Sequence, residues 1–101
     1  MESVNKVELV GHAADPRVHR AGETYIYNVP VCTENAYKDH GDNIIVDCCW
    51  INVVYFCDKH LNIRKGDAVK VEGRLRQRKF TSSDGHETYN IEILANNLVK
   101  L

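Results

Sequence analysis

Hydrophobic and polar residues alternate along residues 4–11, which is the pattern of a strand with one buried face. Residues 25–33 are rich in Tyr, Val and Ile and predict a second strand, on which one face is shared by Tyr25, Tyr27, Val29, Val31 and Thr33. The segment between them is polar and contains Asp15-Pro16, a turn signal. Pro30 has no backbone N–H to donate to a sheet, so we expect an edge position or a bulge there. The chain is therefore predicted to begin as two strands joined by a polar connection.

Two further strands are predicted at residues 68–80 and 88–94. Asp84 and Gly85, which lie between them, form a strong hairpin signal. Gly73 predicts a bulge or a bend that lets the first of these strands curl. In the last strand, the side chains expected to face the core are Tyr89, Ile91 and Ile93.

Residues 44–57 form the most apolar predicted strand, because both of its faces are largely hydrophobic. The core face is predicted to hold Cys49, Ile51, Val53, Tyr55 and Cys57. The other face holds Trp50, Asn52, Val54 and Phe56. An antiparallel strand is rarely apolar on both faces unless something covers the second one. We therefore expect a ligand or a partner subunit on the face of Trp50 and Phe56.

Residues 58–65 are the only place for a helix, and that helix is expected to have one or two turns. With 101 residues, the chain is long enough for one domain with one core. The pattern matches an all-β, five-stranded Greek-key barrel of the oligonucleotide-binding (OB) fold over residues 1–101, with the short helix between strands 3 and 4. The match rests on strand count and helix position, which a different five-stranded barrel would also satisfy.

The net charge of −1 argues against binding of nucleic acid through bulk positive charge, but the basic residues are unevenly placed. Six of the 13 Lys and Arg residues lie within residues 65–79. In this segment Arg74, Arg76, Arg78 and Phe80 share one face of the predicted strand. A ligand with negative charges and flat rings, such as single-stranded nucleic acid, fits that face. The alternative is the solvated basic face of an ordinary amphipathic strand.

The four cysteines lie in apolar segments, which predicts reduced, buried thiols. Neither a CxxC pair nor another zinc-ligand spacing occurs, so we expect no metal and no cofactor. Ser83, Asp84 and His86 are crowded into one turn and cannot supply the separated groups of a hydrolase, so we do not expect an enzyme. No secretory leader and no apolar run long enough to span a membrane is visible. The expected location is the cytoplasm.

Four motifs follow one another along nearly the whole chain: VNKVELVG at 4–11, DPRV at 15–18, WINVVYF at 50–56, and KGDAVKVEGRLRQRKF at 65–80 with DG and Tyr89 after it. In this order they resemble the bacterial single-stranded DNA-binding protein family. The resemblance implies an OB-fold barrel that assembles into a homo-oligomer, a tetramer in preference to a dimer. It also implies that the protein wraps single strands without reading their sequence.

The resemblance also assigns nucleic-acid-binding residues. Its stacking aromatics fall on Tyr37, Trp50, Phe56 and Phe80, and its basic contacts fall on Lys6, Lys38, Arg74, Arg76, Arg78 and Lys79. Tyr37 and Phe80 stand where tryptophan is common, which predicts weakened stacking without its loss. Ile51 and Asn52 replace a histidine and a basic residue, which removes one polar contact. The chain ends at Leu101, so we expect the family's acidic, partner-recruiting C-terminal tail to be absent.

Two functions are compatible with these residues. The first is sequence-independent binding and protection of single-stranded DNA in replication, recombination and repair, by a nucleoid-associated cytoplasmic protein. The second is an assembly module resembling primosomal replication protein N, in which the face of Trp50 is buried against another protein. The residues do not separate DNA from RNA, because both ligands offer bases to stack and phosphates to contact.

Overall fold

The computed structural model describes residues 1–101 and consists of six β-strands without a helix. The strands are β1 (Val7–Ala13), β2 (Arg17–Ala21), β3 (Thr24–Lys38), β4 (Ile44–Cys57), β5 (Ala68–Thr81) and β6 (Glu87–Lys100). No helix that is long and apolar enough to cross a membrane is present.

The sheet closes on itself because β1 pairs on both of its sides. It pairs antiparallel with β5 along most of its length, and its last residue, Ala13, lies opposite Val31 of β3. The strand order is β1-β5-β6-β4-β3-β2, in which only β4 and β6 are parallel. Five strands, β1 and β3 to β6, therefore form the closed barrel that the sequence pattern predicts.

The short strand β2 is an addition to this barrel that the sequence pattern does not predict. Its five residues are all exposed, so they lack the alternation that marks a half-buried strand. Backbone pairing with β3, from Arg17 opposite Asn28 to Ala21 opposite Thr24, produces the strand. Gly22 makes the connecting turn with a φ of 63°, a value that glycine adopts without strain.

The core is made largely of valines that face inward from β3, β4 and β5. The fully buried side chains are Tyr27, Val29, Val31, Val53, Val69, Val71 and Ile93. The predicted core face of residues 44–57 is confirmed where the strand crosses the barrel, at Val53. In residues 25–33 the inward face is the one that carries Tyr27, Val29 and Val31. Gly73 also lies where expected, because the pairing of β5 with β6 shifts between Glu72 and Gly73.

The predicted helix at residues 58–65 is wrong, because this segment is an irregular connection. The backbone N–H of Leu61 donates to the hydroxyl of Tyr27 at 2.7 Å. The Arg64 N–H donates to the carboxylate of Asp67 at 2.9 Å, and Ile63 inserts into the core. Contacts with the barrel thus take the place of the hydrogen bonds of a short helix, whose nucleation is unfavourable.

The prediction that Tyr89 and Ile91 face the core is also wrong. These side chains are 56% and 60% exposed, whereas Ile93 is 2% exposed. Cys49, predicted on the core face of β4, is likewise exposed. Strands β3 to β6 have 14 or 15 residues each, and their pairing continues beyond the end of the core. Alternation predicts the face on which a side chain lies, but it does not predict where the core ends.

The cysteines differ from the expectation of four reduced, buried thiols. Cys32 is buried, but it forms a disulfide with Cys48, which is exposed. Cys49 and Cys57 carry free thiols, and they are exposed and half-buried, respectively. Sixteen residues separate Cys32 from Cys48 in the chain, and only the pairing of β3 with β4 brings them together.

Asp67, at the end of the barrel, is a carboxyl group whose pKa is lowered by its contacts. The Arg64 N–H, and after it the ammonium group of Lys100 at 3.3 Å, lower the pKa of Asp67 below its ordinary value of 3.8. A carboxyl group with a lowered pKa in the folded state stabilises the folded protein at pH values above its ordinary pKa. That stability is lost as the pH falls through the folded-state pKa.

We therefore expect the urea midpoint to fall as the pH drops below about 4. Asp67→Asn is expected to make this fall shallower, because it removes one carboxyl group that favours the deprotonated folded state. The measurement is urea unfolding between pH 7 and pH 3. Asp47→Asn, which alters an exposed carboxylate outside these contacts, is the matched control. An identical pH profile for Asp67→Asn and the unchanged protein would contradict the expectation.

Candidate nucleic-acid interface

A groove of about 810 Å³ crosses the outer face of the barrel, on the side opposite to the core-facing residues. Its basic side chains come from two separate strands. Arg17 and His19 of β2 line one part of the groove, and Arg76 and Arg78 of β5 line another. Asp15 is the acidic residue that also lines it. A negatively charged chain that enters the groove therefore meets guanidinium groups from β2 and from β5.

Between the basic strands the groove is lined by polar amides and apolar side chains of β3 and β4. Asn52 donates a hydrogen bond of 3.4 Å from Nδ2 to the Oδ1 of Asn28, which lies on the neighbouring strand. Val54 is 2% exposed, and Phe56 is 48% exposed. Phe56 thus offers a ring beside the cationic side chains, as a stacking site requires.

Glu92 of β6 holds two of the three arginines of β5, Arg76 and Arg78, in place. Its side chain is only 7% exposed, and its Oε1 accepts hydrogen bonds from Nε and Nη2 of Arg76 at 3.1 and 2.8 Å. The Nε of Arg78 lies 3.5 Å from the same oxygen. A buried carboxylate needs paired charges, and the two arginines supply them. One positive charge in excess therefore remains on this pair of arginines, both of which line the groove.

Phe80 extends the site along β5. The guanidinium carbon of Arg78 lies 5.1 Å from the centre of the Phe80 ring, within the range of a cation–π contact. Both side chains line a second pocket of about 420 Å³. This pocket shares Asn28, Asn52 and Arg78 with the groove, so the two form one continuous track. An extended ligand can therefore contact Phe56 and Phe80 in a single path.

A comparison with protein-family models matches residues 4–101 to the single-strand binding protein family. The chain belongs to this family. Relatives from two bacterial genera support the assignment. A single-stranded DNA-binding protein of Xanthomonas axonopodis pv. citri is 36% identical over 107 residues, which cover 97% of this chain and 58% of the relative. The single-stranded DNA-binding protein 1 of Xylella fastidiosa is 32% identical, covering all of this chain and 79% of the relative.

Solved structures carry the same fold as this member of the family. The Plasmodium falciparum SSB complex with ssDNA superposes with a TM-score of 0.85 at 23% identity, over 100% of this chain and 97% of the other. A deletion mutant of the single-stranded DNA binding protein from Thermus aquaticus has a TM-score of 0.79 at 21% identity, over 97% of this chain and 50% of the other. These matches confirm the predicted OB fold. The chain spans about three fifths of the length of the Xanthomonas axonopodis relative, and the same share of a 36% identical single-stranded DNA-binding protein of Xanthomonas campestris pv. campestris.

The structure of this single-strand binding family member brings most of the predicted site residues onto one outward face. By their alternation along β4 and β5, the residues on it are Trp50, Phe56, Arg74, Arg76, Arg78 and Phe80. Trp50 is 57% exposed and lies opposite Cys32, next to the groove and not inside it. Lys6 and Arg74 line a separate pocket of about 420 Å³ near the start of the chain.

Besides Lys6, Trp50 and Arg74, three further predicted residues lie outside the groove. Tyr37 and Lys38 lie near the end of the β3–β4 hairpin, where Tyr37 is opposite Ile45 and so has the inward alternation of β3. Lys79 is on the face of β5 opposite to the arginines, and its Nζ lies 2.8 Å from Glu87. The single chain therefore does not place Tyr37 or Lys79 on the arginine face.

Four residues that shape the site are not predicted from the sequence: Arg17, His19, Asn28 and Glu92. Arg17 is part of the DPRV motif, so its charge is visible in the sequence, but its position beside the groove is not. The alternation of β6 places Glu92 on the face opposite to Ile91 and Ile93. A glutamate there looks like an ordinary solvated residue until the pairing with β5 sets Arg76 opposite it.

Glu92→Gln tests whether the carboxylate orients the arginines in this family member. The amide keeps an acceptor for Arg76 but removes the negative charge, so we expect a loss of about 1 kcal/mol in the free energy of unfolding. We also expect binding of an anionic strand to depend more steeply on salt, because both guanidinium groups become free to pair with phosphates. The measurements are urea unfolding and salt titration. An unchanged salt dependence would contradict this role of Glu92.

Proposed function

We propose that this protein binds and protects single-stranded DNA without reading its sequence, in replication, recombination and repair. The observation that carries the proposal is the continuous track with arginines from two strands and two exposed rings, Phe56 and Phe80. Phosphates fit the guanidinium groups, and bases fit the rings, which accept any base because every base has a π face. The names of the bacterial relatives describe the same ligand.

The backbone of the strand is proposed to run between β2 and β5. Arg17 on one strand and Arg76 and Arg78 on the other can contact phosphates in sequence, while bases stack on Phe56 and Phe80. Trp50, on the same outward face, continues the row of rings beyond the groove. This arrangement explains how a chain with a net charge of −1 can bind an anion, since the positive charge is concentrated where the ligand lies.

We further propose that the protein works as a homo-oligomer, a tetramer in preference to a dimer, in the bacterial nucleoid. Exposed apolar side chains support self-association. On the β3–β4 hairpin Ile44 and Val46 are 72% and 56% exposed, and on the β5–β6 hairpin Ile91 is 60% exposed. Contiguous exposed apolar residues are typical of protein interfaces. Sedimentation equilibrium measures the oligomer, and a monomer at all concentrations would rule this part of the proposal out.

Trp50, the single tryptophan, makes the proposal testable without a label. We expect a single-stranded oligothymidine to quench Trp50 emission at low salt and added salt to reverse the quenching. The slope of log K against log salt is expected to be about −0.7 for each phosphate contacted. Arg78→Ala is expected to make the slope shallower by about 0.7. Its matched control is Lys79→Ala, the next residue on the opposite face, for which we expect a smaller change.

Each outcome of this titration is informative. Unchanged emission, with no binding in an independent assay such as filter retention, would overturn the proposal. It would favour the assembly function, in which the face of Trp50 binds a protein. A parallel titration with oligouridine compares RNA with DNA, because only contacts at the 2′-hydroxyl distinguish the two.

A further inference from the structure

The Cys32–Cys48 disulfide lies on the outward face, directly beside Trp50. In the pairing of β3 with β4, Cys32 is opposite Trp50, and Glu34 is opposite Cys48. The two cysteines are therefore diagonal neighbours on one face, and their Cα atoms are 6.3 Å apart, within the range that a disulfide spans. The disulfide thus joins β3 to β4 at the position of a proposed stacking ring.

The disulfide also marks the base of the protruding β3–β4 hairpin. Residues 34–48 are exposed except for the half-buried Asp39 and Ile45, so the core does not hold this hairpin. A two-stranded hairpin without such packing is marginally stable in water. The covalent bond at its base therefore takes the place of a core, and it limits the motion of Tyr37 and Lys38 near the tip.

The two sulfurs differ in access. Cys48 is exposed, whereas Cys32 is buried, with 6% of its surface exposed. An external thiolate can therefore reach the sulfur of Cys48, while Cys32 is shielded. The carboxylate of Glu34 lies within 4.8 Å of both sulfurs.

We propose that Cys32 and Cys48 form a reversible thiol–disulfide site that adjusts the affinity of the protein for single-stranded DNA. The proposal deepens the proposed function and rests on it. In the oxidised protein the hairpin and the Trp50 ring are held ready for the ligand. In the reduced protein β3 and β4 are no longer joined beside Trp50, so the ligand must order this ring, which weakens binding.

The chemical step is thiol–disulfide exchange with a small thiol and its disulfide. The external thiolate attacks Sγ of Cys48, forming a mixed disulfide and expelling the sulfur of Cys32, which takes up a proton. A second external thiolate attacks the mixed disulfide and releases Cys48 as a thiol. Two external thiols are thereby oxidised to one disulfide, and the protein disulfide is reduced to two thiols. An organic disulfide such as oxidised glutathione drives the reverse reaction.

The test compares the protein after incubation with oxidised glutathione and after incubation with dithiothreitol. Alkylation followed by peptide mass mapping is expected to leave Cys32 and Cys48 unmodified only in the oxidised sample. Hydrogen–deuterium exchange is expected to be faster across residues 33–47 in the reduced sample. Fluorescence anisotropy with labelled oligothymidine is expected to give roughly threefold to tenfold weaker binding after reduction, the size expected for ordering one or two side chains.

Variants separate this site from the other thiols. The double variant Cys32→Ala with Cys48→Ala is expected to bind like the reduced protein and to ignore dithiothreitol. Cys49→Ala removes the neighbouring free thiol and is expected to keep the full response. Alkylation of Cys32 and Cys48 in the oxidised sample would overturn the proposal, as would equal affinity for oligothymidine in both samples.

The same binding measurements test DNA binding itself separately from its dependence on the disulfide. Equal binding in both samples leaves single-stranded DNA binding intact and removes only its link to the disulfide. Absence of binding in both samples overturns the proposed function and, with it, the adjustment of affinity. Mass mapping and hydrogen exchange then still report whether the disulfide forms and holds the hairpin.

Discussion

Phe56→Ala is expected to weaken binding of single-stranded DNA about 5- to 150-fold. The ring lies in the groove at 48% exposure, beside the arginines that are proposed to contact the phosphates. Stacking of a base on an aromatic side chain contributes about 1–3 kcal/mol, which is the origin of this range. The salt dependence is expected to stay unchanged, because the substitution removes no positive charge. Anisotropy titrations with oligothymidine at several salt concentrations measure both quantities.

Tyr89→Ala is the matched control for this loss. Tyr89 is also an exposed aromatic residue, at 56%, but it pairs with Lys79 on the face opposite to the arginines. We expect its removal to leave the affinity nearly unchanged. Equal losses for Phe56→Ala and Tyr89→Ala would show that the affinity does not depend on which face of the sheet carries the ring. The groove would then not be the binding site.

Gly73→Val is expected to destabilise the folded protein by an amount near the upper end of about 1–3 kcal/mol. A Cβ atom added to Gly73 would lie 2.8 Å from the Cα of Ala95 and closer still to the carbonyl oxygen of Leu94. Both contacts are with backbone, which cannot rotate away as a side chain can. The bulge at Glu72 and Gly73 must therefore open, and this disrupts the pairing of β5 with β6.

Thermal unfolding measures this effect, and the expected fall in Tm is more than about 10 °C. Gly41→Ala is the control, because an added Cβ there meets only the side chains of Asn43 and Asp39, at 3.2 and 3.5 Å. We expect little change for this exposed loop position. A Tm for Gly73→Val equal to that of the unchanged protein would show that the bulge does not need glycine.

The alternation of residues predicts much of the fold, because the geometry of a strand sets the face of each side chain. Val53 is buried as expected, Val29 and Val31 share one face, and the arginines of β5 share the outward face. Gly73 predicts the bulge for a similarly local reason, since glycine is favoured where two backbones approach closely. The wrong predictions concern how far the core extends along a strand. Tyr89 and Ile91 lie on the inward side of β6 by alternation, but the core ends before it reaches them.

The site is predicted in part. The row from Arg74 to Phe80 follows from the sequence, because neighbours on one strand keep a known spacing. The contribution of β2 does not follow, because Arg17 and His19 reach the groove only through pairing with β3. Glu92 is missed for the same reason. Its contact with Arg76 joins residues 16 apart in the chain, and no local pattern marks it.

Three properties of this protein follow from its sequence: the small all-β barrel, the membership in the single-strand binding protein family, and the basic and aromatic strand face. Those properties depend on periods of two residues and on motifs in a constant order, both of which are local. The tertiary structure alone decided that residues 58–65 form no helix, that Glu92 orients two arginines, and that Cys32 meets Cys48. These features depend on contacts between distant segments, whose stability comes from burial and strand pairing that no single stretch of the chain contains.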